Sequence, residues 1–239
     1  RDVAPVLEHD PAAVELVDDV LLELARETPE FADVVGMLPE GASDVLLVEF
    51  YAEDDAAGER AVAELLADRV PTADPAGDPG AGAVTTGDDP RAVAGLEAHA
   101  ASERERFWKL RKSGLPILLS RTSDAKHASF IEDVAIPPEH LPEYVADFQR
   151  VLDEHDTFAS FYAHAGPGVL HVRPLVNTKT VEGVETMHSI ADAVTDLVVE
   201  YGGSVSGEHG DGRARTEWNH KLFGDEVWEL FEELKSAFD

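Results

Sequence analysis

The chain contains no cysteine among its 239 residues, so it has no disulfide, thiolate metal ligand or iron–sulfur cluster of its own. No apolar run approaches the roughly 18–20 residues that a membrane-spanning helix needs, although apolar residues make up 44% of the chain. Its first residues include neither an initiator methionine nor an apolar signal segment, which is typical of a piece excised from a longer chain. This length can bury a sizeable core, as one large domain or two small ones.

Basic residues are also scarce. The sequence has 19 lysines and arginines against 49 acidic residues, for a net charge of −30. Because phosphate recognition needs cations gathered on one face, this balance argues against nucleic-acid binding as a function. The acidic residues are spread along the whole chain, and a surface of this kind stays hydrated in concentrated salt. We therefore expect a halophilic, cytoplasmic protein whose association with a membrane, if any, is peripheral and made through redox partners.

Hydrophobic periodicity and turn residues predict alternating helices and strands. The first helix is predicted to begin at Pro11, with Asp10 as its N-cap, and to continue past Leu24. The other predicted elements are helices at 56–70, 90–112, 138–155 and 181–201 and at the C-terminus, strands at 44–52, 84–89, 128–137, 157–165 and 168–174, and a proline- and glycine-rich loop at 71–83. The last two strands can only form a hairpin. The expected fold class is α+β, an antiparallel sheet with helices packed on one side in ferredoxin-like units.

The first candidate site is the stretch "HAGPGVLH", which begins at His164 and ends at His171. If Pro167 and Gly168 form a two-residue hairpin loop, the two histidines lie opposite each other with Cβ atoms about 5 Å apart. Two imidazoles at that distance can share one metal ion. A Pro-Gly pair suits a type II turn, which fits hairpin twist less well than the primed turns. The alternative is a pair of ordinary sheet histidines.

The second candidate site is the glycine-dense stretch "GGSVSGEHGDG", which contains Glu208 and His209. It follows a helix instead of a strand, so it is not a dinucleotide-binding fingerprint, and it lacks the Gly-Lys-Ser/Thr of a phosphate loop. Dense glycine lets the backbone approach a ligand closely, although a surface loop with a chance Glu-His pair is an alternative. Taken with His164 and His171, Glu208 completes a set of three metal ligands that leaves coordination positions open for a substrate. This is the usual form of a catalytic site for a divalent metal ion. His209 is then left to act as a base.

These two stretches, together with "FIEDVAIPPEHLPEYVADF" and "KLFGDEVWELFEELKSAFD", resemble the C-terminal, substrate-side domain of FAD-linked oxidases. That family includes glycolate oxidase flavin subunits, D-lactate dehydrogenases and D-2-hydroxyglutarate dehydrogenases. The resemblance runs through nearly the whole chain and implies a single substrate domain over 1–239, excised from a longer flavoprotein. The sequence "EDVAIPPEHLP" is most similar to that of long family members that are fused to an iron–sulfur electron-transfer module.

The resemblance implies a role for each site residue. His164, His171 and Glu208 correspond to the ligands of a divalent metal, often zinc, and His209 to the general base. Arg111, in "FWKLRKSG", corresponds to the arginine that pairs with the substrate carboxylate.

Three further residues, Gly207, Gly210 and Arg213, are expected to contact the FAD, which a domain absent from this chain would mainly bind. The chain also departs from the family pattern. Pro167 and Val169 replace the usual Asp and Asn, and Ile131 replaces a common lysine. Lys126 or Arg173 is expected to assist the substrate carboxylate in place of that lysine.

The implied reaction is the oxidation of a D-2-hydroxy acid, of the lactate, glycolate or 2-hydroxyglutarate class, to its 2-oxo acid. The metal would assist deprotonation of the hydroxyl, and FAD would accept a hydride. Two other functions remain open on the residues alone. One is a stand-alone metal hydrolase with the same ligand set, and the other is a ligand-binding regulatory module on a ferredoxin-like fold. Hydrolysis by the isolated chain would favour the first, and effector binding after chelation would favour the second.

Overall fold

The computed structural model describes residues 2–39, 42–70, 92–119 and 122–238. The chain forms two compact units. One comprises Arg1–Ile117 with His164–Gly166, and the other comprises Leu118–Ala163 with Pro167–Asp239. The predicted loop at 71–83 and the predicted strand at 84–89 lie outside the described residues. The single domain expected over 1–239 stays a prediction.

The first unit contains most of the short elements. In chain order they are α1 (Val3–Leu7), β1 (Ala13–Val17), α2 (Asp19–Arg26), α3 (Ala32–Val35), β2 (Val45–Glu49), α4 (Asp55–Arg69), α5 (Ala101–Lys112) and α6 (Gly114–Leu119). Strands β1 and β2 pair antiparallel, from Ala13 opposite Glu49 to Val17 opposite Val45. The predicted strand at 44–52 and helix at 56–70 are confirmed as β2 and α4, whereas the helix predicted at 90–112 begins only at Ala101.

The helix predicted from Pro11 is wrong over its first part, because residues 13–17 form β1. Asp10 has a positive φ of 55°, so it is not the extended N-cap that the prediction required. The helix begins after Asp18 instead, and the Asp18 side chain accepts a hydrogen bond of 3.0 Å from the Leu21 N–H. The apparent helical period therefore combined the buried Val14 and Val17 of a strand with the apolar face of the following helix.

The second unit contains the remaining elements: β3 (Lys126–His127), β4 (Val134–Ala135), α7 (Leu141–Glu154), β5 (Ala159–His164), β6 (Val169–Val176), α8 (Val181–Glu200), α9 (Gly212–Arg215) and α10 (Asn219–Phe238). The last residue of β5, His164, belongs to the first unit. Strand β6 is hydrogen-bonded to β5 and pairs antiparallel with both β3 and β4. These strands and helices confirm the α+β class with antiparallel pairing.

Helices α7 and α8 pack against each other and supply much of the core of the second unit. Their buried side chains recur at helical spacing and include Tyr144, Phe148 and Leu152 of α7 and Ile190, Val194 and Val198 of α8. The Phe148 ring also meets Phe161 of β5 edge to face, with centroids 5.5 Å apart. Burying each large apolar side chain contributes about 1.5–3 kcal/mol, so this layer can hold β5 and β6 in place.

The continuous strand predicted at 128–137 is wrong. Within that range only β4 is a strand, and the chain turns through Glu132 and Asp133 just before it. A central strand would direct these charged side chains alternately to the two faces of a buried sheet, which is costly without partners. The turn instead brings both carboxylates to one group of residues, described below. Among the described residues, no helix is long and apolar enough to cross a bilayer.

Candidate metal centre

The glycine-rich stretch after α8 folds back onto β4. Gly202, with φ 66°, ends the helix in the left-handed region. Ser204 then pairs with Ala135 through N–H···O bonds of 2.8 and 2.9 Å. Gly203 lies so close to β4 that a Cβ there would be 2.4 Å from the Ala135 carbonyl oxygen. Only glycine permits this approach, which brings residues 206–209 beside the turn that precedes β4.

Asp133 holds this loop. Its side chain is 0% exposed and accepts hydrogen bonds from the backbone N–H groups of Glu208 (3.1 Å) and His209 (2.8 Å) and from the Ser206 hydroxyl (3.0 Å). Burial raises the pKa of Asp133, but the bonds from His209, Glu208 and Ser206 outweigh it and leave the pKa below its ordinary value. The Gly207 N–H also donates to the Asp133 carbonyl oxygen at 2.7 Å. The carboxylate therefore stays ionised and fixes the backbone of the loop.

Four side chains converge at this point: Asp133, His171, Glu208 and His209. Each offers one potential ligand atom, and these atoms all lie within 4.8 Å of one another. His171 Nε2 is 3.5 Å from Glu208 Oε2, and the rings of His171 and His209 stack with centroids 5.5 Å apart. Nitrogen and oxygen donors gathered this closely are typical of a site for one divalent ion.

The neighbours of His171 select its tautomer. His171 Nδ1 lies 2.9 Å from the backbone oxygen of Glu132. Because a carbonyl oxygen can only accept, Nδ1 carries a proton, and in the neutral ring the lone pair is then on Nε2. The lone pair is on the atom next to Glu208, as a metal-binding histidine requires.

A second carboxylate, Glu132, lies beside His209. The Nδ1 atom of His209 is 3.6 Å from Glu132 Oε1 and 3.7 Å from Asp133 Oδ1. Glu132 is itself held by buried Arg215, whose Nη1 lies 3.3 Å from Oε2 and whose Nη2 donates to the Gly210 carbonyl at 2.7 Å. The Nδ1 side of the His209 ring therefore faces two carboxylates.

In the first unit, Glu15 joins two of the predicted site residues. This buried carboxylate accepts from Arg111 Nε at 2.8 Å through Oε2, and its Oε1 lies 2.8 Å from His164 Nδ1. A carboxylate at Nδ1 favours the tautomer whose Nε2 can bind a metal. The roles of His164 as a metal ligand and of Arg111 as a partner of the substrate carboxylate stay predictions.

The residues expected at the flavin lie along the same glycine-rich stretch. A Cβ at Gly207 would lie 3.0 and 3.1 Å from the methyl groups of Val169, and Gly210 has a φ of 73°. Both positions thus favour glycine for local reasons. Arg213 is exposed on α9. Contact of these residues with FAD stays a prediction.

Sequence reasoning missed Glu15, Glu132 and Asp133 as site residues. The available signal was the same in each case, a carboxylate within an otherwise apolar stretch. Acidic side chains are rarely buried unless they are paired or bind a ligand. Each of the three is in fact buried and has named partners.

The fold and the four-residue cluster define an α+β domain with a histidine–carboxylate centre. The chain belongs to the family described as FAD linked oxidases, C-terminal domain, whose model matches residues 1–239. This confirms the resemblance seen in the sequence.

The curated relatives are longer than this chain. It is 32% identical over 245 residues to a D-2-hydroxyglutarate dehydrogenase of Escherichia coli (strain K12), a match that covers 100% of this chain and 23% of the relative. It is 30% identical over 243 residues to the D-2-hydroxyglutarate dehydrogenase of Pantoea ananatis, covering 100% and 22%. It is also 30% identical over 142 residues to the glycolate oxidase subunit GlcD of Escherichia coli (strain K12), covering 59% and 28%. The chain thus spans less than a quarter of the length of the first two.

Proposed function

We propose that this chain is the substrate-binding half of a FAD-dependent dehydrogenase that oxidises a D-2-hydroxy acid to the 2-oxo acid. The observation that carries the proposal is the convergence of Asp133, His171, Glu208 and His209 in a member of the FAD-linked oxidase family. The names of the relatives, which include D-2-hydroxyglutarate dehydrogenases and a glycolate oxidase subunit, support the substrate class.

The donor set suits a divalent metal such as zinc. His171 and Glu208 offer a nitrogen and an oxygen 3.5 Å apart, and the His171 tautomer leaves its lone pair on that side. Asp133 is a poorer ligand, because its oxygens are occupied by the N–H groups of Glu208 and His209. His171 and Glu208 would therefore hold the ion, and His164 remains the predicted third ligand. When bound, the metal lowers the pKa of a coordinated hydroxyl and FAD accepts a hydride.

The residues of the chain would then act in order. His209 takes the proton of the substrate hydroxyl, and the carboxylates of Glu132 and Asp133 near its Nδ1 stabilise the imidazolium that results. Asp133 keeps the backbone of His209 in place during this transfer. In its predicted role, Arg111 orients the first carboxylate of the substrate by charge-assisted hydrogen bonds.

Flavin reduction in the full-length parent protein tests the proposal. D-2-Hydroxy acids are mixed with the oxidised enzyme without oxygen, and the loss of flavin absorbance is followed in the native protein and in His209→Gln. Loss of a general base typically slows the chemical step by about 10²–10⁴-fold. His188→Gln is the matched control, since His188 is exposed and pairs with Glu217. Equal reduction rates in His209→Gln and the native enzyme would remove His209 from the base role.

The rival functions use the same residues but make different demands. A stand-alone hydrolase would turn over esters or amides without flavin, and a regulatory module would bind its effector after metal removal. Membership of the FAD-linked oxidase family favours the flavin-dependent function over both.

A further inference from the structure

Arg173 lies on β6, two residues after the cluster histidine His171. Alternate residues of a strand point to the same face and are separated by about 7 Å along it. The ring of Tyr162, on β5, contacts both residues, with its centroid 5.0 Å from the His171 ring and 5.9 Å from the Arg173 guanidinium. Arg173 therefore extends the surface that begins at the His171–Glu208 pair.

Among the described residues, the guanidinium of Arg173 is held by neutral groups alone. Its Nε donates to the Tyr162 hydroxyl at 2.9 Å, and its Nη1 donates to the Ser129 hydroxyl. Within the part of the chain that the structure describes, no carboxylate forms an ion pair with it. The residue is only 6% exposed. Its Nη2 atom has no hydrogen-bond partner among the described residues, and this atom is not fully buried.

The other buried arginines of the described residues are neutralised by a carboxylate. Arg69 pairs with Asp2 at 2.6 Å, Arg111 with Glu15 at 2.8 Å and Arg215 with Glu132 at 3.3 Å. An arginine cannot lose its proton in a protein, so burial without an anion is unfavourable. This exception indicates that the described part of the chain supplies no anion for Arg173, which favours an anionic ligand at this position.

We infer that Arg173 binds the distal carboxylate of a dicarboxylic 2-hydroxy acid, such as 2-hydroxyglutarate or malate. This inference rests on the proposed function, because the hydroxyl and first carboxylate of the substrate are taken to lie at His171 and Glu208. The strand spacing of about 7 Å between His171 and Arg173 suits a substrate with charged groups at both ends. Monocarboxylates such as lactate and glycolate have no group to place against Arg173.

The neutral partners of Arg173 give the residue its selectivity. Tyr162 and Ser129 fix the guanidinium without neutralising it, so its charge is available to the ligand. A site built to pair with a charged group rejects analogues that lack it, since the buried charge is then left without its partner.

The test uses the full-length parent flavoprotein and its Arg173→Met and Arg173→Lys variants. For D-2-hydroxyglutarate and D-malate, we expect kcat/KM to fall roughly 100-fold in Arg173→Met, mainly through KM. The Lys variant should regain part of this loss, because it restores the charge without the fork geometry. For D-lactate and glycolate, which have no second carboxylate, kcat/KM should not fall. Arg150→Met, which removes an exposed arginine of α7, is the control.

Binding of the products gives a second readout that does not depend on turnover. Calorimetric titration should show 2-oxoglutarate binding more tightly than pyruvate to the native enzyme, and this preference should disappear in Arg173→Met. Equal losses for mono- and dicarboxylic acids, or unchanged values for both, would overturn the assignment. Retained oxidation of lactate or glycolate shows that the variant is folded. If none of the 2-hydroxy acids reduces the flavin of the native enzyme, the proposed function fails and the inference fails with it.

Discussion

The backbone N–H of His209 donates a hydrogen bond of 2.8 Å to Oδ2 of Asp133, a carboxylate that is completely buried. The neighbouring N–H of Glu208 bonds to the same carboxylate. Asp133 thus fixes the predicted base and a predicted metal ligand through their backbone, and its acceptors are satisfied by the chain itself. It is a positioning residue that acts through the loop.

Replacing Asp133 by Asn should weaken this loop. One of the two oxygens would become an NH₂ group, which cannot accept from the N–H donors, at a cost of about 1–3 kcal/mol for each lost partner, and the negative charge facing those donors would also be lost. We expect a lower free energy of unfolding by chemical denaturation, together with slower flavin reduction in the parent protein. Asp124→Asn, at an exposed position, is the control. A variant with native stability and native rate would show that the loop does not need Asp133.

Removal of metal should abolish flavin reduction in the parent protein and lower its melting temperature, and added zinc should restore both. Loss of a residue that only hydrogen-bonds to a metal ligand weakens metal binding by roughly 10–100-fold. The substitution His171→Ala removes a predicted ligand itself, so it should weaken metal binding by more than that. Metal affinity can be measured by competition with a chelator. The control is His220→Ala, since His220 is exposed and pairs with Asp225. Native metal affinity in His171→Ala would exclude it as a ligand.

Glu15→Gln should destabilise the protein by about 3–5 kcal/mol, because it removes the charge of the buried carboxylate that pairs with Arg111. His164 would also lose the carboxylate next to its Nδ1. Chemical denaturation measures the effect, and Glu8→Gln, outside this group, provides the comparison. A change below about 1 kcal/mol, as at an exposed ion pair, would contradict a structural role for Glu15.

The raised pKa of Tyr201 predicts a loss of stability at high pH. The hydrogen bond from its hydroxyl to Asp147 (2.7 Å), with a smaller effect of burial, raises the pKa of Tyr201 to about 12 from an ordinary value of 10.0. Because the pKa is higher in the folded state, the stabilisation is complete below pH ~10 and is lost as the pH rises through about 12. Free energies of unfolding across this window should fall less steeply in Tyr201→Phe. Tyr51→Phe, at a position 84% exposed, should behave like the native protein.

The net charge of −30 predicts stabilisation by salt. At low ionic strength the dispersed carboxylates repel one another over a long range, whereas molar salt shortens the Debye length to about 3 Å. We expect the free energy of unfolding to increase between dilute buffer and molar potassium chloride. A flat dependence would contradict the halophilic interpretation.

Sequence reasoning predicted the long, strongly periodic elements best. Helices α7 and α8 follow directly from apolar spacing and end signals such as Gly202. It failed at β1, because a five-residue strand next to a helix has too few residues to show its own period. It failed again between β3 and β4, where partners distant in sequence determine the path of the chain.

The four-residue cluster shows the same limit of prediction from sequence. His171, Glu208 and His209 could be selected from residue type and spacing, and the structure brings these three together. Asp133 could not be selected in this way, since its importance depends on a loop 73–76 residues later in the chain. Long-range hydrogen bonds of this kind leave no periodic signal in a sequence.

Glu208 and His209 are consecutive residues whose N–H groups bond to one carboxylate. A shift of that peptide therefore moves both side chains at once, so the predicted metal ligand and the predicted base would change position together. Selection acting on one position would also act on the other. Under the proposed function, adaptation to a new acid would be easier on β6, where Arg173 can change without displacing either residue.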